Sequence, residues 1–287
     1  MYLVDFFKLL STHKTSNRMK LPYLYLLILA FTTTQLTAQS TASKQVKRFS
    51  IAAPQLNTSK TIWVYLPSEY EKSEKSYPVI YMHDAQNLFD ATTSYVGEWE
   101  VDEYMDTLID NQSIIIGIEH GNEERINELT PYKHEKYGGG KGDSYLKFIK
   151  NTLKPHIDVS YRTKSETENT TIFGSSLGGL ISFYAAIKYP ETFGTAVAFS
   201  PSFWINPEIF EMVASTDIPK TSKFYFLAGT DEGETMIPKL EEMLKLLKFK
   251  GVKETHIENH IVEGGQHNEK LWATNFNKAY DWLNKKP

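Results

Sequence analysis

Apolar, β-branched segments alternate along the chain with segments of helical periodicity, and this alternation restricts the fold more than any other sequence feature. Two segments, 49–53 and 62–66, have no helix between them and predict an antiparallel hairpin. Six further segments are typical of buried strands: 79–82, 114–118, 170–173, 195–199, 224–228 and 257–262. Four segments place apolar residues at helical spacing: 145–153, 180–187, 240–247 and 272–283. Such alternation predicts an α/β fold, with a mostly parallel central sheet and helices on both faces.

A G-x-S-x-G motif lies between a predicted strand and a predicted helix. The segment Gly174-Ser-Ser176-Leu-Gly178 follows the strand 170–173 and leads directly into the helix that contains Leu180. Small residues suit a crowded, strained turn that raises a serine hydroxyl above the sheet at the start of the helix. The motif therefore predicts Ser176 as a nucleophile, and the alternative is a glycine-rich turn with incidental serines.

A serine nucleophile needs a base, and the base needs an orienting acid. In this architecture the chain order is serine, acid, histidine. Three histidines follow Ser176, of which His256 and His260 fall in the last strand region. His267 lies in a loop loosened by two glycines, between that strand and the C-terminal helix, and is the predicted base.

The acid is expected in the loop after the strand 224–228, where spacing alone does not choose between Asp231, Glu232 and Glu234. An oxyanion hole needs two backbone N–H groups, one of them from Leu177, directly after the nucleophile. The second is expected from the loop after the strand 79–82. In that loop, residues 83 and 84, a histidine and an aspartate, either brace the backbone or form a metal pair or second acid–base couple.

Several linked motifs carry a resemblance to a known family, and they extend over roughly residues 45–285. They are Tyr-Met-His83-Asp-Ala-Gln-Asn-Leu-Phe-Asp90, Arg125-Ile-Asn-Glu-Leu-Thr-Pro131, Leu153-Lys-Pro-His-Ile-Asp158, Tyr161-Arg-Thr163, Gly174-Ser-Ser176-Leu-Gly-Gly179 and Phe199-Ser-Pro-Ser-Phe-Trp204. The chain resembles the "putative esterase" family of α/β-hydrolases, the group of esterase D and the enterochelin esterases. Feruloyl and acetylxylan esterases and the antigen 85 mycolyltransferases belong to the same group.

The resemblance implies an α/β-hydrolase fold and assigns several residues. It places the second oxyanion N–H at Gln86, and a Gly-x-x-acid pattern after the strand 224–228 selects Glu232 as the acid. It also places Arg125 and Trp204 on the substrate side, and it implies no metal and no organic cofactor. Ala85 stands where many relatives have glycine, and alanine would cost about 1 kcal/mol there if the position needs a positive φ.

The N-terminus has the features of a secretory signal peptide, predicted to cover residues 1–38. Basic residues precede an apolar run of about eleven residues, 21–31, which is shorter than the roughly twenty that span a membrane. Met19 is a possible true start of translation, and an uncleaved anchor is the alternative. Residues 45–285 are predicted to form one domain, and the protein is predicted to be secreted or periplasmic.

Charge and cysteine content exclude several functions. Cleavage after Ala38 removes four basic residues and one acidic residue, leaving 27 against 34 and a net charge of −7. Without a basic block the chain is not expected to bind nucleic acid. Since the sequence has no cysteine, disulfides, thiolate zinc sites and cysteine nucleophiles are excluded.

The sequence thus predicts a serine esterase acting on a small-molecule or sugar ester, of siderophore, feruloyl or acetyl-sugar type. An acyltransferase or a non-catalytic ligand-binding protein on the same fold is the alternative.

Overall fold

An eight-stranded sheet forms the centre of the computed structural model, which describes residues 39–285; the predicted leader, 1–38, lies outside the described residues. Its strands are β1 (Val46–Ala53), β2 (Thr58–Tyr65), β3 (Val79–His83), β4 (Ile114–Ile118), β7 (Thr170–Ser175), β8 (Thr195–Phe199), β9 (Lys223–Gly229) and β10 (Ile257–Val262). A separate two-stranded ribbon pairs β5 (Lys133–His134) with β6 (Gly138–Gly139).

The spatial order of the sheet is β1-β2-β4-β3-β7-β8-β9-β10. The predicted hairpin is confirmed, because β1 pairs antiparallel with β2, from Val46 opposite Tyr65 to Ala53 opposite Thr58. β2 is also antiparallel to β4, and every other neighbouring pair is parallel. The mostly parallel sheet is therefore also confirmed, and the parallel strands all end at one edge, where sites of open α/β sheets form.

The helices are α1 (Val101–Asp106), α2 (Arg125–Leu129), α3 (Gly142–Phe148), α4 (Lys154–Ser160), α5 (Leu177–Lys188), α6 (Glu208–Ser215), α7 (Met236–Phe249), α8 (Glu269–Ala273) and α9 (Phe276–Leu283). A turn of π-helix, Ile149–Leu153, joins α3 to α4. Among the described residues, no helix is both long and apolar enough to cross a membrane.

Two separate hydrophobic clusters cover the two faces of the sheet. Alternate residues of β3 belong to different clusters, with Val79 and Tyr81 in one and Ile80 and Met82 in the other. Because successive side chains of a strand point to opposite faces, this division places a core on each side. Buried β3 and β8 therefore read as continuous apolar runs, as expected for parallel strands covered on both faces.

One sequence expectation was wrong in detail. The C-terminal helical pattern is broken between α8 and α9, where the side-chain amide of Asn275 donates to the carbonyl of Leu271 at 2.8 Å. The segment Gly121–Asp143 contains α2 and the β5–β6 ribbon. These elements are five residues and two residues per strand, too short for periodicity to reveal.

Candidate active site

Ser176 occupies the turn between β7 and α5 with φ 57° and ψ −119°. This backbone conformation is strained for a residue with a side chain, and it persists because strand and helix hold the turn from both sides. A Cβ added to Gly174 would lie 2.6 Å from the carbonyl carbon of Gly178 and 2.8 Å from a ring carbon of His83. The turn thus needs its glycine where the helix backbone crosses the strand end.

One line of hydrogen bonds joins Ser176, His267 and Glu232. The Oγ of Ser176 lies 2.9 Å from Nε2 of His267, and Nδ1 of the same ring lies 2.6 Å from Oε2 of Glu232. These residues come from loops after β7, β10 and β9, and lie up to 91 positions apart in the chain. The distances match a nucleophile, a base and an orienting acid.

The carboxylate of Glu232 is held by two further donors. Its Oε1 accepts from the backbone N–H of Gly229 at 2.5 Å and from the hydroxyl of Ser200 at 2.8 Å. The Glu232 side chain is 0% exposed, whereas Asp231 and Glu234, the two competing carboxylates, are exposed. Burial and direction together place Glu232, and neither of its neighbours, behind the imidazole.

Three residues that support this group were missed from the sequence. Ser200 bonds Glu232 and accepts from the indole N–H of Trp272 at 2.8 Å, and that indole also meets the His267 ring edge-on at 5.0 Å. The hydroxyl of Ser202 lies 3.3 Å from Ser176 Oγ. Ser200 and Ser202 directly follow β8. The rule that sites form where parallel strands end could therefore have identified them.

The two predicted oxyanion donors lie at the beginning of a helix and within a short 3₁₀ turn. Leu177 is the first residue of α5, and Gln86 is the middle residue of a 3₁₀ turn, 85–87. Within residues 39–285 neither backbone N–H has a protein acceptor outside these turns. Helix starts leave such N–H groups free for an anionic ligand.

Ala85 does not have a positive φ, so the condition for a backbone cost at this position is not met. The left-handed residue in this loop is Asp84, with φ 58°, and Ala85 is buried in the following 3₁₀ turn. Gly117 of β4 makes room for the extra methyl group, since a Cβ there would lie 2.9 Å from the Cβ of Ala85. The alanine is therefore accommodated without the backbone cost considered above.

His83 and Asp84 brace the loop, as one sequence alternative expected. Nδ1 of His83 lies 2.8 Å from the Tyr145 hydroxyl, and burial lowers the pKa of His83 to about 4. Asp84 accepts two hydrogen bonds from Arg125, at 2.7 and 2.8 Å. Burial would raise the pKa of Asp84, but the charge and hydrogen bonds of Arg125 outweigh it and hold that pKa below its usual range.

A cavity of about 330 Å³ opens beside Ser176 and His267. Arg125 lines it, as do Asp84, His120, Glu269, Trp99 and Trp272. Trp204 does not line it; its indole is 44% exposed and meets Tyr137 edge-on at 5.9 Å. Of the two predicted substrate-side residues, only Arg125 therefore faces the cavity next to the nucleophile.

A possible cation site lies elsewhere. Among the described residues, Glu98, Asp102 and Glu103 place carboxylate oxygens within 4.8 Å of one another. None of these three lines the cavity beside Ser176. The Ser–His–Glu geometry needs no metal ligand from this group.

The "Putative esterase" family model matches residues 53–283. "Uncharacterized protein YbbA" of Bacillus subtilis is 29% identical over 233 residues, which is 77% of this chain and 90% of that protein. "Ferri-bacillibactin esterase BesA" of the same organism is 31% identical over 154 residues, 47% of this chain and 51% of that enzyme.

A solved structure named "ferulic acid esterase" superimposes with a TM-score of 0.64 at 18% identity, over 83% of this chain and 96% of that chain. At that identity the likeness is evidence for the fold alone, and it confirms the α/β-hydrolase architecture. The family match covers most of the chain and includes Ser176, Glu232 and His267, which meet at one edge of the sheet. This protein is therefore a member of the "Putative esterase" family, a carboxylic ester hydrolase of the α/β-hydrolase fold.

Proposed function

We propose that this esterase works through a covalent acyl-enzyme on Ser176, with His267 as base and Glu232 as orienting acid. The observation that carries the proposal is the continuous hydrogen-bond line of 2.9 and 2.6 Å through the His267 ring. A serine hydroxyl is a weak nucleophile until a base removes its proton, and that base must be held in the correct tautomer.

In the first half-reaction, Ser176 Oγ attacks the ester carbonyl while its proton passes to Nε2 of His267. The carbonyl oxygen becomes an oxyanion that accepts from the N–H groups of Leu177 and Gln86. The C–O bond to the alcohol then breaks, and the alcohol leaves with the proton from His267. Glu232 keeps Nδ1 protonated and stabilises the imidazolium.

In the second half-reaction, water gives its proton to His267 and attacks the acyl carbon. The oxyanion forms again, the bond to Ser176 Oγ breaks, and the serine regains its proton from His267. The products are a carboxylic acid and free Ser176. The two halves use the same groups in the same places.

Two residues are proposed to contact the substrate. Arg125 uses two of its N–H donors on Asp84 and has others left for polar substrate groups near the carbonyl. Trp204 lies outside the cavity, so it is proposed to contact the part of a longer substrate that extends beyond it. An exposed indole beside Tyr137 offers a face for stacking.

The proposed substrate is a siderophore, feruloyl or acetyl-sugar ester. The names of BesA and of the ferulic acid esterase structure support the first two. An acyltransferase of the antigen 85 type would use the same three residues but pass the acyl group to an alcohol. Adding a competing alcohol distinguishes these activities, since a transferase forms a new ester where a hydrolase releases acid.

Processing and export are also proposed. The basic and apolar segments before Ala38 support a cleaved leader and a secreted or periplasmic enzyme. N-terminal sequencing of the exported protein tests the cleavage. The exported protein is expected to begin at Gln39. An exported protein that begins at residue 1 or 19 would contradict the cleavage.

The test of the mechanism is Ser176→Ala beside Ser175→Ala. We expect kcat on p-nitrophenyl acetate to fall by about 10³-fold or more in Ser176→Ala, with folding intact, because a triad acts as a unit. Ser175→Ala is the matched control and is expected to lose only a few-fold. An alkylphosphonate probe should label Ser176 of the wild type covalently. It should not label the Ser176→Ala protein. Equal losses in both variants, or labelling at another serine, would contradict the assignment.

A further inference from the structure

Besides histidines, three side chains that can carry a charge line the cavity beside Ser176: Asp84, Arg125 and Glu269. Asp84 and Arg125 form a two-bond ion pair and neutralise each other. Within residues 39–285 Glu269 has no such partner, because the basic groups that act on it, Arg125 and His267, are each bonded to another carboxylate. When ionised, Glu269 therefore gives the cavity one unbalanced negative charge.

Glu269 is held in place beside the base. It follows His267 by two residues and begins α8, whose start is capped by the Asn268 side chain accepting from Leu271 N–H at 3.1 Å. On its other side lies Gly97, where an added Cβ would be 3.3 Å from the Cβ of Glu269. The backbone and Cβ of Glu269 are therefore positioned beside the cavity, which its half-buried side chain lines.

Its surroundings agree with this position. Burial raises the pKa of Glu269, and the negative charge of Asp84 raises it further, while Arg125 and His267 oppose the shift. All three neighbours belong to the catalytic edge of the sheet. The mechanism described above gives Glu269 no role, so its place in the cavity is unexplained by it.

We propose that Glu269 selects substrates by charge, so that the enzyme takes neutral, polyhydroxylated sugar-type esters and disfavours anionic ones. The inference rests on the proposed function and narrows it. A ferric tris-catecholate siderophore carries three negative charges, and its approach to an unpaired carboxylate is unfavourable. A sugar ester carries none, and its hydroxyls find donors and acceptors in Arg125, His120 and Asn87 along the same cavity.

The experiment compares two p-nitrophenyl esters of equal chain length, the pentanoate and the monoester of glutarate, which differ by a terminal carboxylate. We expect the wild type to prefer the pentanoate. In Glu269→Gln, the glutarate-to-pentanoate ratio of kcat/KM should rise about tenfold at low salt, and the gain should shrink as salt screens the charge. Using a ratio cancels any effect of Glu269 on His267 that both esters share.

Glu263→Gln is the matched control. Glu263 is an exposed carboxylate in the loop before α8, and it does not line the cavity. Its ratio should stay within twofold of the wild type. A second comparison uses natural-type substrates: acetylated xylobiose should be preferred to a ferric tricatecholate trilactone. Circular dichroism confirms that each variant is folded.

Three outcomes would overturn the role of Glu269, and a fourth would overturn the proposed function. If Glu269→Gln leaves the ratio within twofold, or if Glu263→Gln shifts it equally, the assignment to Glu269 is overturned. A wild-type preference for the ferric trilactone also overturns it. If instead the wild type hydrolyses neither p-nitrophenyl ester faster than Ser176→Ala does, the proposed function itself fails, which is a different and separable result.

Discussion

Two donors besides the imidazole hold Glu232, and that makes its carboxylate the best oriented acid of the three in its loop. The Gly229 N–H and the Ser200 hydroxyl both bond Oε1, leaving Oε2 for His267. Asp231 is exposed, and its nearest side-chain partner, Thr230, lies 3.4 Å away. At the scale of single residues, function depends on which carboxylate is buried behind the ring.

Glu232→Gln is expected to lower kcat on one simple ester by about 10²–10⁴-fold, because an amide no longer stabilises the imidazolium. Asp231→Asn is the matched control and should stay within about threefold of the wild type. Steady-state kinetics of both variants on the same ester check this. A severe loss in Asp231→Asn beside a nearly normal Glu232→Gln would reverse the assignment.

Strand and helix pack closely where β7 passes into α5. The crossing is possible because Gly174 and Gly178 bring strand and helix backbones within contact distance, with the ring of His83 packed beside them. The buried imidazole is neutral at physiological pH, since burial lowers its pKa to about 4. The position of Ser176 thus depends on the packing of three neighbouring segments.

Gly174→Ala is expected to lower the free energy of unfolding by about 3 kcal/mol, since its methyl group would overlap backbone atoms that cannot move independently. Gly251→Ala is the control; its Cβ would meet open space, and only the backbone strain of φ +85° is expected, about 1 kcal/mol. Urea unfolding of both proteins measures the difference. Equal losses would show that crowding at the turn is unimportant.

Across the whole molecule, the start of the described chain is attached to the domain by carboxylates. Ser40 donates to Asp90 at 2.5 Å, and the backbone N–H of Ser43 donates to Oδ2 of Asp102 at 2.6 Å. Asp102 is fully buried, and its Oδ1 has no partner among residues 39–285. Burial raises the pKa of Asp102 above its ordinary range, a shift that Glu103 reinforces and the Ser43 N–H opposes.

This raised pKa makes stability depend on pH. Between the ordinary carboxyl pKa of about 4 and the raised value, the folded protein binds a proton that the unfolded chain does not. The stabilisation is present at low pH and is lost as pH rises through the folded-state pKa. Asp102→Asn lacks this titration. The difference in free energy of unfolding, variant minus wild type, should therefore rise by about 1–2 kcal/mol between pH 5 and pH 8.

Urea unfolding at both pH values measures that difference. Asp110→Asn, a change at an exposed carboxylate, is the control, and its difference from the wild type should be the same at both pH values. A constant difference for Asp102→Asn as well would contradict the role of burial.

The sequence by itself determined the elements that depend on local pattern. The strands at 114–118 and 195–199 match their predicted bounds, because a buried parallel strand is a continuous apolar run between polar turns. Ser176 could be predicted as the nucleophile from local pattern too, because the strained turn needs neighbouring glycines, and those are adjacent in the chain.

Only the tertiary structure decided which distant groups meet. Spacing left three acids after β9, and the family resemblance selected Glu232. Its contacts with His267 and with Ser200, which follow different strands, exist only in the folded chain. The pairing of Arg125 with Asp84, and the open space that Gly117 leaves for Ala85, likewise join residues at least 32 positions apart in the sequence. Local pattern encodes burial and backbone conformation within a few residues. The hydrogen bonds and charges of a site arise between loops that the sheet brings together, and their distances exist only once it has formed.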